Sequence, residues 1–342
     1  MPGNWFCETT KVIKSVKHPN ADSLSVITLF SDYQVVTRLD EFKEGDMVAY
    51  FAVDSILPDK PEFAFIDSKS RKRLRAKRLR GVFSMGLAIK APDGFNEGDS
   101  VVEHYGITRY IPLEERDGYK ERAKDGFFVN GANGLNEKNP IGWSIPYYDL
   151  EPLRKYSKNL IDGEQVVIQE KINGQNFSCV YIDDKLWVKS RNNFKKYDVD
   201  SQWWSVPIRD DYETKLKSIP KKVICGEFYG NVSGYRYDCN LIDKVIERKF
   251  RIFDIYDLET MTYLSYDEII KISMEIDIPI CPEIYRGPWT SDESLYDLAE
   301  GASILGNSKK EGFVVRSLDN IFDKKNNRKI YKLISQQYLL EK

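Results

Sequence analysis

One lysine in this chain is placed where its amine could act as a nucleophile. Lys171 follows the apolar run 166–168 and precedes a glycine turn, in the stretch 170–178, Glu-Lys-Ile-Asn-Gly-Gln-Asn-Phe-Ser. A lysine between a strand and a tight turn can face a pocket rather than water, and an unprotonated amine held there can attack an electrophile. A surface lysine before a β-turn is the simpler interpretation. The residues that follow in the chain favour the nucleophile.

Three charged side chains follow strand-like stretches further along the chain. Arg191 ends a predicted strand, where its planar guanidinium can grip a phosphate. Glu227 lies between two glycines in 226–230, where a carboxylate suits a ribose hydroxyl or a metal-bound water. Glu311 begins the apolar stretch 312–315. Taken singly, each of these also fits an ordinary hairpin end, glycine turn or alternating strand.

The stretch 250–257 predicts a strand with strict alternation of its side chains. One face would carry Phe250, Ile252, Asp254 and Tyr256, and the other would carry Arg251, Phe253, Ile255 and Asp257. On its face, Phe253 is either part of the core or a platform for a purine. A last strand near the C-terminus carries the basic residues Lys329 and Lys332.

These residue types together suit nucleotidyl transfer. An amine attacks the α-phosphate of a nucleotide, basic side chains and a divalent metal neutralise the developing charge, and pyrophosphate leaves in line. Carboxylates would hold the metal through its waters, because Mg²⁺ loses its hydration shell reluctantly.

The elements around these residues predict two domains of an α+β protein. Five short strands between residues 10 and 110, with Gly and Asp turns, indicate an N-terminal OB-like β-barrel over 1–115. The polar, Gly/Asn-rich segment 116–145 is typical of a linker or flexible loop. Residues 146–342 predict antiparallel sheets flanked by helices, because the strands lack regular βαβ alternation. Helices are predicted over 148–160, 266–276 and 292–304.

Composition excludes several classes of protein. The 342 residues include 51 Lys and Arg against 53 Asp and Glu, so a polyanion must bind a local patch. Two histidines and five cysteines without a Cys-x-x-Cys pair argue against a histidine triad or a zinc site. Without a signal peptide or a membrane-length apolar run, we expect a soluble, cytoplasmic monomer that does not contact membranes.

A local basic patch does exist in the run 71–80, which has seven basic residues in ten. On an OB fold, such a run favours contacts with a nucleic-acid backbone, with a solvated face or a nuclear localisation signal as the alternative. The predicted RNA-binding residues are Arg71, Lys72, Arg73, Arg75 and Lys77.

In this order, the stretches resemble the motifs of the covalent nucleotidyltransferase superfamily, which comprises DNA ligases, RNA ligases and mRNA capping enzymes. Motif I, Lys-x-Asp/Asn/His-Gly, is matched by 171–174 and the Ser-Arg element by 190–191. The later motifs are matched in family order by 226–230, 253–254, 311–312 and 329–332. Two departures are that motif I carries Asn173 instead of an acidic residue, and that Lys329 and Lys332 are three positions apart where the family usually has Lys-x-Lys. Lys332 is the firmer match of the two.

The stretch 170–178 looks like the RNA ligases that repair 3′-OH/5′-phosphate breaks, in which the position of Asn176 is functional. DNA ligases and capping enzymes carry their OB domain after the last motif, whereas only ten residues follow Lys332 here. An OB domain in front resembles the Naegleria- and Deinococcus-type ATP-dependent RNA ligases. The stretches 18–24 and 80–86 are in turn similar to tRNA-binding OB modules.

The resemblance implies an RNA ligase that uses ATP and Mg²⁺ or Mn²⁺ and joins RNA ends through a lysine–AMP intermediate. It implies catalytic roles for Lys171, Glu227, Glu311 and Lys332. Water-mediated metal contacts are implied for Glu227, Glu311 and Asn173. The implied nucleotide-binding residues are Glu170, Lys171, Ile172, Asn176, Arg191, Glu227, Phe253, Lys329 and Lys332. A DNA ligase, a capping-type nucleotidyltransferase and an inactive RNA-binding homologue remain as alternatives.

Overall fold

The computed structural model describes ten ranges of the chain. These are 5–111, 120–122, 128–130, 136–146, 148–232, 235–237, 248–306, 308–319, 322 and 328–341. The described chain is α+β, with a curled sheet in front and two larger sheets behind it, as the sequence predicted. No helix in these ranges is both long and apolar enough to cross a membrane.

The front domain is built on a five-stranded sheet in the order β3-β2-β1-β4-β8. Its nine strands are β1 (Cys7–Lys17), β2 (Leu24–Leu29), β3 (Tyr33–Arg38), β4 (Met47–Phe51), β5 (Ser55–Ile56), β6 (Lys77–Leu79), β7 (Val82–Ser84), β8 (Leu87–Lys90) and β9 (Thr108–Arg109). The sheet curls back on itself, because the backbone NH of Met85 donates to the carbonyl of Gln34 on the edge strand β3 (2.9 Å). Apolar residues of alternate positions, such as Ile27, Leu29 and Val48, fill its interior.

The second domain is built on two larger sheets, and the chain passes from one sheet to the other. Its strands begin after the hairpin β10 (Lys120–Arg122) and β11 (Phe128–Asn130). They are β12 (Asn136–Glu137), β13 (Glu151–Pro152), β14 (Gln165–Lys171), β15 (Gln175–Ile182), β16 (Lys185–Ser190), β17 (Phe194–Lys195), β18 (Lys222–Tyr229), β19 (Asn231–Val232), β20 (Tyr235–Arg236), β21 (Lys249–Asp257), β22 (Thr262–Tyr263), β23 (Glu283–Pro288), β24 (Gly312–Ser317) and β25 (Ile330–Ile334).

One sheet has the order β12-β17-β16-β15-β18-β21-β22, and the other has the order β13-β25-β24-β14-β23. Their neighbouring strands are antiparallel except for the pair β13–β25. The chain passes from the second sheet to the first between β14 and β15, over residues 172–174. Lys171 therefore lies where the two sheets meet.

Helices are short and few in the described ranges. They are α1 (Ser68–Arg71), α2 (Val102–Tyr105), α3 (Leu153–Tyr156), α4 (Ser205–Arg209), α5 (Tyr212–Lys217), α6 (Tyr266–Glu275) and α7 (Gln336–Glu341). The predicted helix over 266–276 is confirmed as α6, which begins with a capping box between Ser265 and Glu268.

Two predicted helices are largely wrong. Over 148–160 the chain is extended as far as Pro152, because β13 pairs with β25, and only α3 and one 3₁₀ turn follow. Over 292–304 there is a single 3₁₀ turn, Tyr296–Ala299. The backbone NH of Ile304 donates to the carboxylate of Glu170 instead of to a helix carbonyl (2.8 Å).

The predicted linker 116–145 lies partly outside the described residues. Within the described part, β12 pairs with β17 and so extends the seven-stranded sheet. Ile141 is buried against that sheet, beside Val180 and Phe194. The chain from Asn136 onward is therefore packed as part of the second domain rather than as a linker.

Candidate active site

The predicted nucleophile lies on the cleft side of β14. Val166 and Ile168 point into the apolar core behind the sheet, so alternation turns Lys171 to the opposite face. The Lys171 amine lies 2.5 Å from the Glu311 carboxylate, and 23% and 15% of the two side chains are exposed. Register places Lys171 opposite Gly312, the first residue of β24, so Glu311 reaches the amine from the adjacent strand. The structure thus brings together two predicted residues 140 positions apart.

Two glycines of the motifs, Gly174 and Gly312, lie in direct contact with the backbone of neighbouring strands. A Cβ atom at Gly174 would lie 1.9 Å from the carbonyl oxygen of Phe228, which no side chain tolerates. Gly312 has a φ of +148° and a Cβ there would lie 2.0 Å from the carbonyl oxygen of Leu333. The turn after Lys171 therefore packs directly on β18, the strand that carries Glu227.

Glu227 is held in an environment that opposes its ionisation. Burial raises the pKa of Glu227 to about 8, against the lowering effect of the positive charges on Lys171 and Arg191, and the negative charge of Glu311 raises it further. Asn176 lies directly opposite Glu227 across the β15–β18 pair, so their side chains share a face. Arg191 follows β16, and its positive charge is close enough to the cleft to act on Glu227.

Lys332 completes the charged group from β25. It lies opposite Val314 on the neighbouring strand, and its amine is 3.6 Å from the Asp149 carboxylate. Burial lowers the pKa of Lys332 to about 8; Asp149 opposes the shift, and Lys171 adds to it. Sequence analysis missed Asp149, which precedes the motifs and contacts them only through the tertiary fold.

Lys329 lies outside this group, which corrects the prediction that it contacts the nucleotide. Its amine lies 2.6 and 2.7 Å from the two carboxylate oxygens of Glu164, and both side chains are almost fully buried, 4% and 2% exposed. The hydroxyl of Ser317 also donates to Glu164. Lys329 directly precedes β25, where its amine is held by Glu164, whereas Lys332 within β25 lies beside Asp149 at the cleft.

Phe253 lies at a β-bulge and faces the cleft, and the predicted strict alternation is wrong after this residue. Cys225 pairs with Asp254 and Gly226 pairs with Ile252, which leaves Phe253 as the extra residue of β21. Ile252 and Ile255 therefore both pack into the core on the same side of the sheet. The ring of Phe253 packs against Tyr148, with centroids 4.5 Å apart, and against the cluster that contains Ile172.

Two of the remaining predicted residues have partners that sequence analysis missed. The side-chain oxygen of Asn173 accepts a hydrogen bond from the Tyr338 hydroxyl of α7 (3.0 Å), and its backbone NH donates to the Tyr237 hydroxyl (2.7 Å). The carboxylate of Glu170 points away from Lys171 and accepts hydrogen bonds from Ser303 and from the NH of Ile304. Both tyrosines and the serine are far from these residues in sequence, so no local pattern could reveal the contacts.

The basic run 71–80 divides into two groups. Arg71 lies 3.2 Å from Asp59, and Arg73 lies 2.8 Å from Asp54, so both form ion pairs within the front domain. The exposed members of the run are Lys72, Arg75, Lys77, Arg78 and Arg80. Arg78, which was not predicted as a site residue, donates to the side chain of Gln336 in α7 (3.3 Å).

Comparisons with known proteins agree with this architecture. A family model described as RNA ligase matches residues 164–334, which is half of the chain and contains every residue of the charged cleft except Asp149. The chain belongs to the RNA ligase family. A second model, for an OB-fold domain, matches residues 7–91. Both predictions, of the family and of the fold of the front domain, are confirmed.

Solved structures of RNA ligases from Naegleria gruberi share the fold of this RNA ligase over nearly its full length. One of them is 23% identical, with a TM-score of 0.79, and the match covers 98% of both chains. Another, which holds ATP and manganese, is 22% identical with a TM-score of 0.77, covering 98% of this chain and 99% of that one. An uncharacterised protein of Methanocaldococcus jannaschii is 28% identical over 186 residues, 52% of this chain and 44% of the relative. The match thus spans less than half the length of that curated relative.

Proposed function

We propose that this member of the RNA ligase family uses ATP to seal RNA breaks between a 3′-OH and a 5′-phosphate. The main support for this proposal is the position of the Lys171 amine in the cleft, 2.5 Å from the Glu311 carboxylate. The positive charge of Lys171 also acts on Glu227 and Lys332, because it lowers the pKa of both groups. The choice of ATP is supported by the similar Naegleria gruberi ligase whose structure holds ATP and manganese.

In the first step the Lys171 amine attacks the α-phosphate of ATP. An N–P bond forms, the bond to the bridging oxygen breaks, pyrophosphate leaves and the amine gives up a proton. Before ATP binds, the ion pair with Glu311 fixes the amine in the cleft. The attack requires the amine to leave that ion pair as a neutral group.

The nucleotide would be held by groups on three strands and one hairpin turn. Lys332 supplies a positive charge for the α-phosphate from β25, and Arg191 supplies a second from the hairpin after β16. Tyr148 covers one face of the Phe253 ring, so a purine would stack on the other face. Asn176, beside Glu227, is placed to donate to a phosphate or ribose oxygen.

The cleft also fits a hard divalent cation such as Mg²⁺ or Mn²⁺. Glu227, Glu311 and the amide oxygen of Asn173 are oxygen donors, and the raised pKa of Glu227 indicates that a nearby positive charge would be favoured. Within the described ranges no three His, Cys, Asp or Glu side chains lie together as a metal cage, which suits an ion that keeps most of its waters. When bound, the ion would neutralise charge that develops on the phosphates.

The later steps return the enzyme to its starting state. A 5′-phosphate oxygen of RNA attacks the phosphorus of lysine–AMP, which breaks the N–P bond and frees the amine of Lys171. The 3′-OH of the neighbouring end then attacks the 5′-phosphate, a phosphodiester forms and AMP leaves. The exposed residues Lys72, Arg75 and Lys77 of the front domain would hold RNA phosphates during these steps.

Mass spectrometry of the intact protein after incubation with ATP and Mg²⁺ tests the first step, with GTP as the control for a capping-type activity. We expect an AMP adduct on Lys171 in the wild type and none in Lys171→Ala. The variant should still join RNA whose 5′ end is already adenylylated, at a reduced rate, because the amine acts as nucleophile only in the first step. A wild type that forms an adduct with GTP but not with ATP would identify a capping-type enzyme, and one that forms no adduct with either nucleotide would identify an inactive homologue. A wild type that seals nicked DNA but not RNA would identify a DNA ligase.

A further inference from the structure

A short segment joins the charged cleft to the front domain. We call residues 148–155 the strap. At one end, Tyr148 packs against Phe253 and its hydroxyl donates to the Asp254 carboxylate (2.9 Å). In the middle, β13 runs parallel to β25, with Pro152 opposite Lys332. At the other end, α3 begins and its two basic residues reach the front domain.

At the cleft end, the strap provides the counter-charge of a predicted catalytic lysine. The Asp149 carboxylate lies 3.6 Å from the Lys332 amine, and only 18% and 20% of the two side chains are exposed. The NH of Leu150 donates to Asp149 (2.8 Å) and limits its rotation. Among the described residues, Asp149 is the one carboxylate within ion-pair distance of Lys332. Lys171, Arg191 and Glu311 also act electrostatically on Lys332, and so does Glu151 of the strap.

At its other end, the strap is bound to the front domain by two ion pairs. Lys155 lies 2.7 Å from Glu8 of β1, and its amine is 4.0 Å from the centre of the Phe6 ring. Arg154 forms an ion pair with Asp32, and the backbone NH of Asp32 donates to the carbonyl of Arg154 (3.0 Å). All four charged side chains are less than a fifth exposed, so these pairs are screened little by solvent.

We propose that Asp149 is a positioning residue for Lys332, and that the front domain sets the placement of Lys332 through the strap. Only five positions separate Asp149 from Arg154, and they are fixed by the β13–β25 pairing and by α3. A displacement of the front domain would therefore move the strap as a unit and shift Asp149 relative to Lys332. Because misplacement of a catalytic group by about 1 Å can cost a hundredfold in rate, small displacements are measurable. This inference rests on the proposed adenylylation chemistry.

The test measures lysine–AMP formation by the full-length protein, without RNA, as a function of ATP concentration and pH. We expect Asp149→Asn to lower kcat/KM for ATP by about tenfold. The alkaline limb of its pH profile should move to lower pH, because Lys332 loses the carboxylate that favours its charged form. Asp149→Glu keeps the charge and should recover part of the rate. A purely structural defect would lower activity without moving the pH limb.

The coupling to the front domain is tested by Glu8→Gln and Asp32→Asn, which change residues remote from the cleft. We expect each to lower kcat/KM for ATP by about threefold to tenfold, and to add little when combined with Asp149→Asn, because both act on the same lysine. Glu97→Gln is the matched control. It removes a front-domain ion pair with Lys11 (3.5 Å) that does not touch the second domain, and should leave adenylylation unchanged.

Three outcomes would overturn parts of this account, and they are distinguishable. A wild type that forms no lysine–AMP refutes the proposed function itself. The positioning role is refuted if the wild type forms lysine–AMP and folded Asp149→Asn does so at the same rate and with the same alkaline pH limb. A normal rate in Glu8→Gln and Asp32→Asn, or losses that simply multiply with that of Asp149→Asn, refutes transmission through the strap.

Discussion

Lys329 and Lys332 should separate stability from catalysis, although they are only three positions apart in the chain. Lys329 is 4% exposed and its charge is matched by buried Glu164. Removing one partner of a buried ion pair costs about 3–5 kcal/mol, because the other charge remains buried alone. In a domain of about 200 residues, each kcal/mol lowers Tm by about 2–4 °C. We therefore expect Lys329→Ala to lower Tm by about 6–20 °C.

The same substitution should spare the chemistry. Below its Tm, folded Lys329→Ala should form lysine–AMP at close to the wild-type rate, because Lys329 points away from the cleft. Lys332→Ala should do the reverse and slow adenylylation by about a hundredfold, which is typical of the loss of one preorganised charge at a transition state. Its Tm should change little, since burial already disfavours the charge on Lys332.

Thermal unfolding and single-turnover adenylylation with labelled ATP measure the two effects in the same protein preparations. The double variant Lys329→Met/Glu164→Gln removes both buried charges and should recover much of the lost Tm. The reasoning is refuted if Lys329→Ala unfolds like the wild type yet forms no lysine–AMP, while Lys332→Ala is fully active. In that case Lys329 would be the motif V lysine, and the faces assigned to β25 would be wrong.

Three further predictions follow from the site and the front domain. The raised pKa of Glu227, about 8, lies above the unfolded value of about 4.3, so the stability associated with its neutral form is lost as pH rises between these values. Glu227→Gln should therefore raise the Tm of the metal-free protein more at pH 8 than at pH 5; an equal change at both would contradict the pKa. Neutralising Lys72, Arg75 and Lys77 should lower the salt slope of RNA binding by about 0.7–0.9 per lost phosphate contact. Adenylylation without RNA should not change, and an unaltered slope would show that these residues do not bind RNA. Gly174→Ala should abolish lysine–AMP, because its Cβ would lie 1.9 Å from the Phe228 carbonyl oxygen; normal activity would disprove that close approach.

Local patterns in the sequence identified most of the longer strands of both domains, and missed most of the short ones. The apolar run 166–168 of β14 depends only on neighbours in the chain, and so does the capping box of α6. The helix expected over 292–304 was wrong, since the structure has only the 3₁₀ turn Tyr296–Ala299 there. At the end of this stretch, the backbone NH of Ile304 donates to the buried carboxylate of Glu170, a distant residue that local helix propensity does not take into account.

The assignment of cleft residues shows the same limit. Strand periodicity placed Phe253 opposite Ile252 and Asp254, but the bulge in β21 shifted the phase after Phe253. A bulge arises from the register between two strands, which a single strand's sequence does not contain. Spacing alone also left Lys329 and Lys332 as rivals, and their partners, Glu164 and Asp149, come from distant parts of the chain.

The sequence by itself determined the family and the order of the two domains, and it predicted the reacting groups, because motif residues occur at fixed short spacings around Lys171, Glu227 and Glu311. The tertiary structure decided which charges meet. It paired Lys171 with Glu311, buried Lys329 with Glu164 and brought Asp149 to Lys332. The physical reason is that pairing register, burial and electrostatic range depend on distances between strands, whereas sequence patterns record only distances along one strand.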